Sequence, residues 1–160
     1  MYDKEPMEMT VARFVDWIRT NGEVKRLTEE YRRLTAKGSE GEAARVKRAL
    51  PAATLAAVFE GGRQEKDLKR LTGLMMFDWD HVGAARTQLL ERLRMTDCVM
   101  LAWTSVSGEG VKAVIRVDVT STEEYLRAYR VVGRWMEQRT GCQVDEACRN
   151  VGRLCSAAHD

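Results

Sequence analysis

The stretch Gly73-Leu74-Met75-Met76-Phe77-Asp78-Trp79-Asp80 decides how this chain is read. An apolar run, Leu74 to Phe77, follows a glycine and leads straight into Asp-x-Asp, the pattern of a strand that ends in charge. Side chains alternate along a strand, so Asp78 and Asp80 share one face. Two carboxylates turned into a helix-covered core would be very costly, so that face is expected to be open.

Working outward, the pattern stays regular. Residues 81–94 read as a helix with Val82, Ala85, Leu89 and Leu93 inward, and 98–104 as a second strand. The Gly/Ser loop 105–110 leads to a third strand, 111–119. A long helix over 122–139 is capped by Ser121 or Thr122, with Tyr125, Ala128, Val132, Trp135 and Met136 on one side. Residues 151–157 form a possible last strand. The order is β-α-β-β-α-β, a ferredoxin-like or RRM-like α+β core. In that topology the first and third strands are the central pair, the fourth lies beside the first, and the helices cover one face. On the third strand Val111, Ala113, Ile115 and Val117 should meet the helices, leaving Lys112 and Arg116 on the open face beside Asp78.

Upstream lies a helical leader. Val11, Phe14, Val15 and Ile18 recur at helical spacing behind Thr10, and Asn21-Gly22 ends that helix. Val24, Leu27, Tyr31 and Leu34 mark a second helix, and a third runs from about Glu40 to Leu50, where Pro51 stops it. Residues 52–59 are a possible strand, and a charged loop follows from Gly61-Gly62 to Arg70. The chain is thus expected to hold a leader over 1–50 and a core over 51–160, compact together and the front part of a longer protein. The basic leader residues Arg32, Arg33, Lys47 and Arg48 read first as a solvated helix face.

Composition narrows the function classes. A chain of 160 residues suits one ordinary core. No apolar run approaches the roughly 20 residues that span a bilayer, and Met1–Met9, acidic and broken by Pro6, lacks the features of a signal peptide. A cytoplasmic location and no membrane partner are expected. A net charge of +2 excludes a strongly basic nucleic-acid coat, so any such binding must come from local patches. Cys98, Cys142, Cys148 and Cys155 form no CxxC pair. Cys142, Cys148, Cys155 and His159 gather near the end without matching a standard zinc module, so ordinary half-buried thiols are the expectation.

Three groups can carry chemistry. Asp78 and Asp80 can hold divalent cations, Mg²⁺ or Mn²⁺ by their hard oxygens, as phosphoryl and nucleotidyl transfer require; otherwise one caps the next helix and the other is solvated. The loop Ser105-Val106-Ser107-Gly108-Glu109-Gly110 with Lys112 behind it can present N–H groups and a positive charge to phosphates; otherwise it is a hairpin connection. Asp145, before the last strand, can complete a three-carboxylate site, with Arg153 neutralising phosphate; otherwise both are surface residues. The three groups fall where the topology brings the chain together.

These residues resemble a known family. Lys47-Arg48-Ala49-Leu50-Pro51 with Phe59, Gly73–Asp80, Ser105–Lys112, and Val144-Asp145 followed by Asn150, Arg153, Cys155 and His159-Asp160 look like the VirE N-terminal-like domain, similar to the archaeo-eukaryotic primase superfamily. The resemblance implies a primase-polymerase fold in which Asp78, Asp80 and Asp145 bind the catalytic metals. It implies that Ser105, Ser107, Gly108, Gly110, Lys112 and Arg153 contact the nucleotide, with Lys112 where the family has a histidine. It further implies nucleoside triphosphates and single-stranded DNA or RNA as partners, and a helicase or primase-associated module in the same protein. The expected activity is two-metal nucleotidyl transfer in DNA replication or mobile-element maintenance. The alternative is a non-catalytic domain on the same fold that binds nucleic acid or a replication partner.

Overall fold

In the computed structural model, which describes residues 7–160, an amphipathic leader comes first. It comprises α1 (Val11–Thr20), α2 (Gly22–Ala36) and α3 (Glu40–Ala49). Thr10 caps α1 by accepting from the Arg13 N–H at 3.2 Å. Asn21 ends α1 and caps α2, accepting from Glu23 and Val24 at 3.0 Å each. Phe14, Ile18, Val24, Leu27 and Leu34 are buried, the set that helical spacing selects. The first six residues of the expected leader lie outside the described residues.

The remainder is mixed, so the protein is an α+β fold with its helical segment at the N-terminal end. The stretch expected as one strand over 52–59 divides into β1 (Ala52–Thr54) and β2 (Ala57–Phe59). The expected charged loop contains a further strand, β3 (Leu68–Leu71), antiparallel to β2. Then follow β4 (Leu74–Trp79), α4 (Arg86–Arg94), β5 (Val99–Thr104), β6 (Val111–Arg116), α5 (Thr122–Thr140) and β7 (Leu154–Ser156). Among the described residues no helix is long and apolar enough to cross a membrane.

The β-α-β-β-α-β order is present from β4 onward, and the main sheet runs β4-β6-β5, all antiparallel. The first and third strands of that order are therefore neighbours. The fourth, β7, pairs with β1 instead of lying beside β4. The backbone explains the difference. After α5 the chain meets the free edge of β4 at one point, where Asp145 N–H donates to the Asp78 carbonyl at 2.7 Å. It then turns into a 3₁₀ helix, Glu146–Arg149, which packs against β4 without extending its ladder.

The chain divides into two units. One consists of the described residues up to Ala53, with Val106–Gly108 and Ser156–Asp160, the other of Thr54–Ser105 and Glu109–Cys155. Within the second, α5 covers the face of β4 that carries Met75, Phe77 and Trp79, each wholly buried. Phe77 stacks on Tyr129 of α5 with ring centroids 5.0 Å apart. Trp79 donates its indole N–H to the Cys142 carbonyl at 3.2 Å. Trp135, expected on the inner side of α5, is 41% exposed there, together with Val131 at 71%.

Candidate metal and phosphate site

The register of β4 against β6 places Asp78 directly opposite Lys112, as strand alternation requires. Their side chains form an ion pair. The face that carries them is not open, contrary to expectation: Asp78 is 4% exposed and Lys112 9%. Their cover comes from the end of the second unit. The 3₁₀ helix Glu146–Arg149 packs against β4 and brings in Cys148, and Cys155 of β7 is fully buried. A lone charge would not be tolerated here, so the pairing is what permits the burial.

The pair is incompletely satisfied. Lys112 occupies Oδ2 of Asp78, whereas Oδ1 is buried with no hydrogen-bond partner. Burial pushes the Asp78 carboxyl above the usual range, against the pull of Lys112 and assisted by the nearby carboxylates of Asp80 and Asp145. Burial also works to discharge Lys112, but Asp78 and the neighbouring thiols hold its ammonium above the ordinary lysine value.

Asp145 arrives from the other side. It caps the 3₁₀ helix, its Oδ1 accepting from the Ala147 N–H at 2.9 Å. Its carbonyl accepts from the Tyr129 hydroxyl at 2.9 Å. Its Oδ2 accepts from the Arg153 guanidinium at 3.3 Å. One carboxylate oxygen each of Asp78 and Asp145 and the Cys148 sulfur lie within 4.8 Å of one another. The two carboxylates offer hard oxygens for a divalent cation, and Asp78 has one oxygen, Oδ1, without a hydrogen-bond partner. Burial pushes the Cys148 thiol up to about 12 and the Cys155 thiol up to about 11, so both are protonated at neutral pH.

Of the expected carboxylate trio, the fold thus brings Asp78 and Asp145 together, while Asp80 is exposed and lies outside that group. The next residue explains why. His81 has φ 54°, a left-handed backbone that turns the chain off the strand, and its ring reaches Glu109 at 3.4 Å. Arg153 sits just before β7 and neutralises Asp145.

The Ser105–Gly110 loop closes a hairpin. Ser105 is buried, its N–H donates to the Gly110 carbonyl at 2.9 Å, and its hydroxyl accepts from the Gly110 N–H at 3.1 Å. Gly110 is required because a Cβ there would lie 2.7 Å from the Trp79 carbonyl oxygen. Gly108 supplies a positive φ of 80°. The loop tip belongs to the first unit, where Arg32 donates to the Val106 carbonyl at 3.1 Å and Ser107 is half-buried. These two bonds close the hairpin. Lys112 points at Asp78, not at the loop.

Cys148 was missed as a partner of Asp145. The signal was the three-residue spacing, since positions three apart eclipse in a 3₁₀ helix. No zinc-like group of Cys142, Cys148, Cys155 and His159 forms among the described residues.

Comparison with known proteins adds one match. Residues 45–160 match the family model described as "BT4734-like, N-terminal domain". No curated protein and no solved structure matches. The match overturns the resemblance to the VirE N-terminal-like domain and the primase-polymerase superfamily. The features behind that resemblance have local causes: the Ser-Gly-Gly spacing is that of a closed hairpin, and Lys112 answers Asp78.

Proposed function

The chain belongs to the BT4734-like N-terminal domain family, and we propose that its second unit is a divalent-cation-dependent nucleotidyl-transfer domain centred on Asp78 and Asp145. The observation that carries the reading is the unsatisfied, buried Oδ1 of Asp78 in a group with the Asp145 carboxylate and the Cys148 sulfur. The two carboxylates suit one Mg²⁺ or Mn²⁺, not the pair expected from three carboxylates, and the protonated Cys148 thiol would border the ion without binding it. Such a cation polarises a phosphoryl oxygen and neutralises the charge that builds up on it.

In this reading Lys112 keeps Asp78 oriented and limits the negative charge of the pocket. Arg153, which lies on Asp145, would be the guanidinium available to a phosphate, and exposed Asp80 would take the proton of the attacking hydroxyl. A new O–P bond forms at the α-phosphate, and the bond to the pyrophosphate leaving group breaks. The test is pyrophosphate release from nucleoside triphosphates with a primed single strand and Mg²⁺ or Mn²⁺. Asp145→Asn retains a side chain able to cap the 3₁₀ helix and should fold normally. It is expected to lose at least a hundredfold in rate. Equal rates in the variant and the parent protein refute the reading.

A second reading is favoured by one observation: Lys112 already supplies the positive charge that Asp78 needs. The domain would then bind nucleic acid or a replication partner without chemistry. Oligonucleotide binding that is indifferent to EDTA, with no pyrophosphate released, would select it.

A further inference from the structure

The Asp78–Lys112 pair has a cover that is built differently from the rest of the second unit. Residues 146–153 lie between Asp145 and β7 and add no strand to the β4-β6-β5 sheet. Among them only Cys148 and Gly152 are buried, Val151 is half-buried, and the rest are exposed. The Cys148 sulfur is the inward contact, within 4.8 Å of a carboxylate oxygen of Asp78 and one of Asp145.

The hydrogen bonds of this segment are mostly its own. Asn150 N–H donates to the Ala147 carbonyl at 3.3 Å, Arg153 N–H to the Asn150 carbonyl at 2.9 Å, and Gly152 N–H to Asn150 Oδ1 at 2.8 Å. Such bonds travel with the segment when it moves. Among the described residues, one hydrogen bond ties it to the chain beyond its two ends. The Arg63 guanidinium donates to the Gly152 carbonyl at 2.9 Å. Glycine permits the close approach there, since a Cβ would lie 2.9 Å from the Arg63 carbonyl oxygen.

Asp145, by contrast, is fixed on both sides. Its N–H donates to the Asp78 carbonyl at 2.7 Å, and its own carbonyl accepts from the Tyr129 hydroxyl at 2.9 Å. It stays with β4 and α5 while the residues after it can swing. A segment with two buried contacts and one outside bond belongs to the low-stability end of a fold.

We propose that residues 146–153 are a latched cover, hinged at Asp145 and held by Arg63, whose local opening exposes the Asp78–Lys112 pair to solvent and ligands. The proposal rests on the cation reading for what enters, whereas the opening itself is a property of the fold.

The experiment follows N-ethylmaleimide labelling of the full chain carrying Cys98→Ser and Cys142→Ser, with the two remaining thiols resolved by mass spectrometry. Cys155, fully buried in β7 beyond the latch, is the internal reference, because global unfolding exposes both thiols alike. Cys148 should be labelled about tenfold faster than Cys155 or more, as local opening requires. Arg63→Ala should speed Cys148 about fivefold, the worth of one ordinary hydrogen bond, and leave Cys155 unchanged. Arg63→Lys keeps a donor and should restore much of the protection. Equal rates at the two thiols, or an equal acceleration of both in Arg63→Ala, overturns the cover. No metal is added, so failure here is distinct from failure of the cation site.

Discussion

At the scale of single residues the Asp78–Lys112 pair dominates. Both partners are buried, so removing one leaves a charge without its counterpart, a loss of about 3–5 kcal/mol. Lys112→Met should show this with a size that depends on pH. The folded carboxyl of Asp78 already lies above its unfolded value, so the folded state binds the proton more tightly. That contribution is fully present below the unfolded pKa and is lost as pH rises through the folded one. Without Lys112 the carboxyl rises further. Urea unfolding of Lys112→Met should therefore show a mild deficit in acid buffer and a large one at neutral pH; a deficit independent of pH would mean that the pair is not charged as described. The pairing was legible in the sequence, because strand parity and hairpin order place residues 78 and 112 side by side. Their burial was not, since the cover comes from Cys148 and Cys155, far along the chain and in no periodic pattern.

At the scale of elements two glycines make opposite predictions. A Cβ at Gly110 would press on the Trp79 carbonyl oxygen, so Gly110→Ala should cost about 1–3 kcal/mol and loosen the β4–β6 end that holds Asp78. A Cβ at Gly133, inside α5, would meet Val144 at 3.6 Å and Phe77 at 3.8 Å, ordinary contact. Gly133→Ala should therefore stabilise by roughly 0.5–1 kcal/mol through helix propensity. Denaturant midpoints of the two variants check both; a destabilised Gly133→Ala would show that the α5–β4 packing is tighter than these distances. The strongly periodic helices and the three main strands were readable from pattern alone. Leu68-Lys69-Arg70-Leu71 was not, because a charged strand in a two-stranded ribbon looks like a loop. The partner of β7 was unreadable too: three residues, Leu154–Ser156, carry too little pattern to choose between two sheet edges.

At the scale of the whole molecule, a nearly neutral chain gathers a charge cluster within one unit. There two carboxylates, Asp78 and Asp145, are balanced by Lys112 and Arg153. The carboxylates needed to propose a cation site were visible in the sequence. Which of them meet was decided by the left-handed turn at His81 and the 3₁₀ helix after Asp145, two backbone features that residue patterns do not announce. The most direct measurement is a Mn²⁺ titration followed by electron paramagnetic resonance. The parent protein should bind a single Mn²⁺, because carboxylate oxygens of Asp78 and Asp145 lie within reach of one ion. Asp145→Asn should weaken the binding at least tenfold, and Asp80→Asn should change it far less. Absence of Mn²⁺ binding, or binding that survives Asp145→Asn undiminished, would contradict the account.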